Sequence, residues 1–330
     1  MKTKIVYTVV SGSQDVYLPQ VMVASYTARK TNPTAQIVLV VDQETNVVIN
    51  NCLPNIKKYI SEIIVVNVPD GMNKMHRSRY LKTTLRQNIS GDFLFVDADT
   101  VITCDLSEID EVDMDIAAVL DRHSPVSEHE LVDGIKSAIS KLSLNLQDLK
   151  DKYFNSGVML VKDSPIAYQL YEKWYENWNK SLATTKGIDQ PPLALANKQC
   201  GYPIQELNGI WNCQLSDNFL NYFFNAKVLH YFASNKRSPY LLYNQDIFKE
   251  VLDYGDIPGW LIEQLEHPYS FFKPHHLLVY GDDLKFVRSY IHVIYKYHPF
   301  AYKIIELLSK ILVTKKIGAP DKPCGGLCRC

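Results

Sequence analysis

The chain has 330 residues, of which 46% are hydrophobic and 22% charged, and its formal net charge is −1. This composition is typical of a globular protein and excludes disordered and fibrous classes. The net charge does not indicate a nucleic-acid partner. The segment 1–7 enters a strand-like run without the long apolar core of a secretory signal, so we expect a cytoplasmic protein.

Apolar runs separated by helix-length polar stretches predict alternating strands and helices in the first hundred residues. The predicted strands are 5–10, 37–41, 63–67 and 93–96. This alternation predicts an α/β fold with a mostly parallel central sheet and helices on both faces. Further strands are predicted at 116–120, 157–161 and 228–232, and an aromatic-rich helix at 166–178.

Two carboxylates, Asp97 and Asp99, follow the fourth predicted strand. Ligands of open α/β sheets bind at the carboxyl ends of the strands. Carboxylates spaced i and i+2 offer hard oxygen ligands to a divalent ion that bridges the phosphates of a nucleoside diphosphate. Such an ion stabilises the diphosphate as it leaves a sugar.

The tripeptide Asp97-Ala98-Asp99 is of a type that is common in solvated loops. It also fits the nucleophile motif of haloacid-dehalogenase-type phosphatases. In that alternative Asp97 is the nucleophile and residues 281–283 supply a late metal motif. Those enzymes carry the motif after their first strand, whereas at least three predicted strands precede it here. The position therefore favours the nucleotide-sugar interpretation.

Four segments, in order over residues 3–240, resemble glycosyltransferases of the GT-A fold and, within them, family 8, which includes glycogenin and bacterial lipooligosaccharide galactosyltransferases and glucosyltransferases. The segments are the first strand and helix, 93–99, 153–160, and 229–232 followed by Lys236. We therefore expect a GT-A catalytic domain over 1–240. A helical C-terminal region with a flexible Cys- and Gly-rich tail is expected over 241–330.

The resemblance implies a role for each matching residue. Mn2+ (or Mg2+) would be held by Asp97, Asp99 and His230, and the catalytic pair would be Asp189 and Gln190. The nucleotide sugar would contact Thr8, Val9, Arg79, Asp97, Ala98, Asn155, Gly157 and Lys236. Structural alternatives stand beside these roles: a core histidine for His230, a structural turn for 155–157, and one exposed helix face for Arg77, Arg79 and Lys82.

The resemblance further implies transfer of a hexose from a nucleoside diphosphate sugar, with UDP-hexose as donor, to an acceptor hydroxyl with retention, in bacterial surface-glycan synthesis. A catalytically inactive sugar-binding relative is the non-enzymatic alternative. The chain departs from the family in two places. Its first strand ends without the acidic residue often found against the base, and Pro191-Pro192 predicts a rigid turn after Gln190.

From Pro299 onwards apolar residues recur at helical spacing, which predicts an amphipathic helix too short to span a bilayer. Residues 285–330 contain nine Lys or Arg and two acidic residues. The segment 285–316 is therefore predicted to lie on an anionic membrane surface, at its inner face, near a lipid-linked glycan acceptor. Packing on the catalytic domain is the alternative. Cys324, Cys328 and Cys330 are interpreted as part of a disordered tail rather than a metal site.

Overall fold

The computed structural model describes residues 1–216, 218–231, 245–268, 294 and 298–316. The chain divides into two compact units, Met1–Leu277 and Leu278–Cys330. Lys236, the segment 281–283 and the three tail cysteines lie outside the described residues, so the predictions for them stay predictions.

The first unit contains strands and helices in alternation. Its strands are β1 Lys4–Val9, β2 Ile37–Asp42, β3 Glu62–Val66, β4 Phe93–Val96, β5 Thr100–Ile102, β6 Ile116–Leu120, β7 Phe154–Val161, β8 Ile204–Glu206, β9 Cys213–Gln214 and β10 Val228–His230. Its α-helices are α1 Tyr17–Thr31, α2 Gln43–Cys52, α3 Lys74–Thr83, α4 Leu85–Asn88, α5 Val132–Ser140, α6 Pro165–Lys180, α7 Leu182–Thr185, α8 Gln190–Gln199, α9 Leu220–Phe223, α10 Gln245–Tyr254 and α11 Gly259–Leu265.

The central sheet has the strand order β3-β2-β1-β4-β7-β6-β8. Strands β3, β2, β1 and β4 pair in parallel, as do β6 and β8, while β7 runs antiparallel to both β4 and β6. Every residue of β2, β4, β6 and β7 is buried, because helices cover both faces of the sheet. The predicted α/β fold with a mostly parallel sheet is confirmed.

A second, three-stranded sheet has the order β5-β10-β9. Strand β10 pairs antiparallel with β5, so that His230 lies opposite Thr100, and the Tyr231 N–H donates to the Asp99 carbonyl over 3.1 Å. The sequence predicts strand β10 but not its partner. The place of β10 beside β5 brings His230 next to the residues that follow β4.

Helix α6 packs an aromatic face against the sheet and also supports the loop before α8. Trp174 and Trp178 are fully buried, and their indole N–H groups donate to the carbonyls of Asp189 and Gly187 over 2.9 and 3.1 Å. A buried tryptophan meets its need for a hydrogen-bond acceptor in this way. These two bonds hold the segment that carries Asp189 against the core.

The rigid turn predicted at Pro191-Pro192 is wrong, because both prolines lie in the first turn of α8, which begins at Gln190. The first N–H groups of a helix have no partner within the helix, so a proline there loses no hydrogen bond. The prolines therefore start the helix directly after Asp189 and Gln190.

Helices α10 and α11 belong to the first unit, although they follow residue 240, where the sequence predicts a domain boundary. Phe248, Val251 and Leu261 are fully buried. The loop between the helices is held by Asp256, which accepts bonds from Lys58 and Tyr59 over 2.6 and 2.9 Å.

In the second unit, helix α12 spans Pro299–Lys316 and confirms the helix predicted from the apolar spacing. Phe300 is 78% exposed and Leu307 61%, with Ile304 and Leu308 also exposed on the same helix. Within the described part of the chain, every helix is too short or too polar to cross a membrane.

Candidate functional site

Three side chains that can act as metal ligands meet where β4, β5 and β10 come together. Asp97 and Asp99 lie in the turn from β4 to β5, and His230 ends β10. One ligand atom from each lies within 4.8 Å of the others. The His230 Nε2 is 3.2 Å from Asp99 Oδ1, and the imidazole is 3% exposed against 27% for the Asp99 side chain. The cluster is thus buried on the histidine side and open to solvent on the carboxylate side.

Gly157 makes this arrangement possible. A Cβ atom at this position would lie 2.4 Å from His230 Cε1 and 2.8 Å from Asp97 Oδ2, distances that real Cβ atoms do not show. The Gly157 carbonyl also accepts a 2.7 Å bond from the Asp97 N–H. Strand β7 therefore passes so close to both side chains that a residue with a Cβ atom does not fit. Glycine is required here for close approach of the backbone and not for a turn.

A chain of amides sets the orientation of the His230 ring. The Gly157 N–H donates to Asn155 Oδ1 over 2.9 Å, which identifies that atom as the oxygen and leaves Asn155 Nδ2 to donate to Asp121. Asn212 Nδ2 donates to the same oxygen over 3.0 Å, so its own Oδ1 faces His230 Nδ1 at 3.0 Å. An oxygen there requires a proton on Nδ1. The Nε2 atom is consequently the one directed at the carboxylates, as in metal-binding histidines held by an outer partner.

Asp121 joins the same network and was not identified from the sequence. Its Oδ1 accepts from Asn155 and from Gln190 Nε2, each over 3.0 Å, and its Oδ2 is 3.1 Å from His129 Nε2. Burial raises the pKa of Asp121, but the bonds from His129, Asn155 and Gln190 outweigh it and hold the pKa below its usual range. Asp121 follows β6 as Asp97 follows β4, and that position was the signal that could have revealed it.

Asp189 lies in a pocket of positive charge. Arg79 Nε is 3.0 Å from its Oδ1, Lys82 Nζ is 3.4 Å from its Oδ2, and the Ser156 hydroxyl donates over 2.9 Å. Burial raises the pKa of Asp189, yet Lys82, Arg79 and Ser156 outweigh it and keep the pKa well below the ordinary value. The carboxylate is thus held ionised.

The single exposed face suggested for Arg77, Arg79 and Lys82 is wrong. Arg77 is 12% exposed and lies 2.9 Å from Asp42, while Lys82 is 4% exposed and reaches Asp97. Asp42 ends β2 and Asp97 follows β4, so both partners are distant in the chain and the local helical pattern could not reveal the pairing. Only Arg79, with a side chain 36% exposed, is substantially open to solvent.

The ligand cluster carries opposing electrostatic influences. Burial raises the pKa of Asp97, although Lys82 acts against it. Burial lowers the pKa of His230, but Asp99 more than compensates, so that pKa is raised. Protons therefore compete with any cation for Asp97 and His230.

The remaining predicted residues lie at neighbouring strand ends. Thr8 and Val9 are the last two residues of β1, which pairs with β4, and both are buried. Ala98 lies between the two aspartates. The structure therefore places Asp97, Asp99, His230, Asn155, Gly157, Asp189, Gln190 and Arg79 in one connected region, and contacts of Thr8, Val9 and Ala98 with a nucleotide stay predictions.

Comparison with known proteins identifies relatives of the chain. The model of glycosyl transferase family 8 matches residues 8–237. No curated protein sequence matches. Among solved structures, the galactosyltransferase LgtC, crystallised with donor and acceptor sugar analogues, is similar with a TM-score of 0.50 and 18% identity, over 79% of this chain and 100% of LgtC. GlyE of Streptococcus pneumoniae has a TM-score of 0.49 and 16% identity, over 83% of this chain and 66% of GlyE. At such identities the likeness to LgtC concerns the fold.

Proposed function

The chain belongs to glycosyl transferase family 8, and from that premise we propose that it transfers a hexose from a nucleoside diphosphate sugar to an acceptor hydroxyl with the help of a divalent metal. The metal is Mn2+ or Mg2+, and its ligands are Asp97, Asp99 and His230. The observation that carries the proposal is the convergence of these three ligand atoms within 4.8 Å at the carboxyl end of β4.

Family membership decides between the two enzyme classes considered from the sequence, since a family 8 chain is a glycosyltransferase and not a phosphatase. Asp97 also follows the fourth strand of the chain rather than the first. The inactive sugar-binding alternative is disfavoured by the intact ligand set.

The donor set fits a divalent ion. Two carboxylates suit Mg2+ and Mn2+, and an imidazole favours Mn2+ within this pair. Asn212 holds the proton of His230 on Nδ1 and so leaves Nε2 for the ion. When bound, the ion supplies Lewis-acid stabilisation of the charge that grows on the departing diphosphate.

Asp189 and Gln190 are proposed to bind the donor sugar beside its anomeric carbon. Asp189, kept ionised by Arg79 and Lys82, accepts a hydrogen bond from a donor hydroxyl. Gln190 donates from Nε2 to Asp121 over 3.0 Å and to the Phe154 carbonyl over 3.2 Å. Both hydrogens of its amide are thereby used, so its carbonyl oxygen is the group presented to the substrate.

The resemblance to family 8 supports retention of configuration, with the leaving diphosphate accepting the proton of the acceptor hydroxyl on the same face of the sugar. We propose UDP-hexose as donor and a glycan or lipid-linked glycan of the bacterial surface as acceptor. The complex of LgtC with donor and acceptor sugar analogues supports only the coarser pairing of a donor sugar with an acceptor sugar.

Incubation of the whole chain with Mn2+ and a panel of nucleotide sugars is expected to release one nucleoside diphosphate. Asp97→Asn and His230→Ala should each lower that release by about a hundredfold or more, because each removes a ligand of the metal that stabilises the leaving group. Release is measured by coupled assay, with and without chelator.

Asp105→Asn is the matched control for Asp97→Asn. It removes the same carboxylate charge, but from an exposed aspartate that follows β5. It should retain wild-type release. The absence of release from every donor would contradict the proposal, and nucleotide-sugar binding that does not depend on Mn2+ would favour the sugar-binding alternative.

Helix α12 is proposed to lie on an anionic membrane, at the cytoplasmic face, within the segment 285–316. Its exposed apolar residues, such as Phe300 and Leu307, share the helix with exposed Lys303. An apolar face with nearby lysines suits the surface of an anionic bilayer.

The full chain is expected to sediment with vesicles containing phosphatidylglycerol and not with vesicles of phosphatidylcholine alone. The double substitution Leu307→Asp with Leu308→Asp should abolish sedimentation, because it places two charges on the apolar face. Leu131→Asp alters an exposed leucine of the first unit and serves as the control. Equal partitioning of the double variant and the wild type would exclude the membrane role.

A further inference from the structure

Lys82 is a buried cation that touches the candidate metal site. Its Nζ lies 3.3 and 3.4 Å from the two carboxylate oxygens of Asp97 and 3.4 Å from Asp189 Oδ2, and only 4% of its side chain is exposed. The ammonium also lies 4.9 Å from the centre of the Phe95 ring. Lysine is almost never buried unless it is paired, so these contacts account for its burial.

Cations of helix α3 lie beside the carboxylates of this region. Among the described residues, Asp97 and Asp189 lie close to Arg79 and Lys82, which are one turn apart on α3, while Asp99 contacts His230. Arg79 contacts Asp189 over 3.0 Å, whereas Lys82 divides its contacts between Asp189 and Asp97. One of the two carboxylates available to a metal is therefore already compensated by an internal cation.

We propose that Lys82 shares Asp97 with the metal ion and thereby makes tight metal binding depend on the nucleoside diphosphate. The inference rests on the proposed function. In the free protein, Lys82 reduces the negative charge offered to a dication and repels it across the shared carboxylate. A diphosphate would bring anionic oxygens that attract both the metal and the ammonium, so its binding would offset the repulsion.

A purely structural role for Lys82 makes a different prediction. A counter-ion that only stabilises Asp189 lowers the stability of the fold when it is removed, and it leaves the affinity for the metal unchanged. The affinity of the free protein for Mn2+ therefore separates the two roles without any measurement of transfer.

The test is an Mn2+ titration of the whole chain, followed by electron paramagnetic resonance, with and without UDP. Lys82→Met should bind Mn2+ about tenfold more tightly than the wild type in the absence of UDP, because a nearby positive charge is lost. The gain in Mn2+ affinity caused by UDP should shrink by a similar factor. Lys82→Arg keeps the charge and should resemble the wild type.

Lys74→Met is the matched control, since Lys74 is an exposed lysine of the same helix that pairs with Asp15. It should leave the affinity for Mn2+ unchanged. If Lys82→Met does not fold, Lys82→Gln keeps an N–H donor for the carboxylates and tests the same loss of charge. Unchanged or weaker Mn2+ binding by a folded neutral variant overturns the inference. A wild type that binds no Mn2+ even with UDP refutes the metal site itself, which is a distinct outcome.

Discussion

Gly157→Ala is expected to abolish both Mn2+ binding and transfer. The added methyl would lie 2.4 Å from His230 Cε1 and 2.8 Å from Asp97 Oδ2, so one of these ligands must move. A displacement of about 1 Å in a reacting group lowers rates by on the order of a hundredfold. We expect at least that loss in nucleoside diphosphate release, together with an Mn2+ affinity too weak to measure by titration.

The matched control is Gly134→Ala in α5, where an added Cβ would meet its nearest atom, of Leu131, at 4.0 Å. Alanine is favoured over glycine inside a helix by about 0.5–1 kcal/mol, so this variant should be slightly more stable and fully active. A Gly157→Ala variant that binds Mn2+ as the wild type does would show that the close approach of β7 is not required.

Asp189→Asn is expected to lower the free energy of unfolding by about 3 kcal/mol at pH 7, because it leaves the partly buried Arg79 without its carboxylate and the buried Lys82 with Asp97 alone. Transfer should fall as well, since the proposed acceptor for a donor hydroxyl is lost. Urea denaturation of both proteins measures the first effect, and the donor panel measures the second.

The free energy of unfolding should differ between the wild type and Asp189→Asn in a way that depends on pH. This dependence follows from the lowered pKa of Asp189, because Lys82, Arg79 and Ser156 outweigh the effect of burial. An aspartate whose pKa is lower in the folded than in the unfolded state contributes stability fully above its unfolded value, about 3.9, and loses it as the pH falls towards the folded value. The difference between wild type and variant should therefore stay constant from about pH 5 to pH 8 and narrow below about pH 4.

Glu206→Gln is a suitable control, since Glu206 pairs with Lys152 over 3.2 Å at the surface, with both side chains more than 40% exposed. Exposed pairs of this kind contribute little to stability. Equal unfolding curves for Asp189→Asn and the wild type at pH 7 would show that the two cations do not depend on this carboxylate.

The short strand β8, which has two exposed residues, is not predicted from the sequence. The other six strands of the central sheet are predicted because each contains a largely apolar run. The same local pattern places Asp97 and Asp99 at the carboxyl end of a strand. It applies equally to Asp121 after β6, which the sequence does not single out because one aspartate lacks the second carboxylate that marks the pair after β4.

The pairings within the site join residues that are distant in the chain. Asn212 contacts Asn155 across 57 positions, and Gln190 contacts Asp121 across 69. Side chains of this kind carry no periodic pattern, and the orientation of an amide depends on which neighbour is a fixed donor. The role of Asn212 could not be inferred from its neighbours Trp211 and Cys213.

The amino-acid sequence by itself determined six strands of the central sheet, the carboxylate pair and the resemblance to the family, because apolar strands and strand-end motifs are local patterns. It did not determine the order of the strands within the sheets, nor the short strands β5, β8 and β9. Tertiary structure decided which polar groups meet. The pairing of β10 with β5 brings His230 to the aspartates, and β7 lies close enough to them to require Gly157. The orientation of α3 places Lys82 in a buried contact with Asp97. These contacts depend on how separate elements pack, and packing distances are not encoded in any single segment.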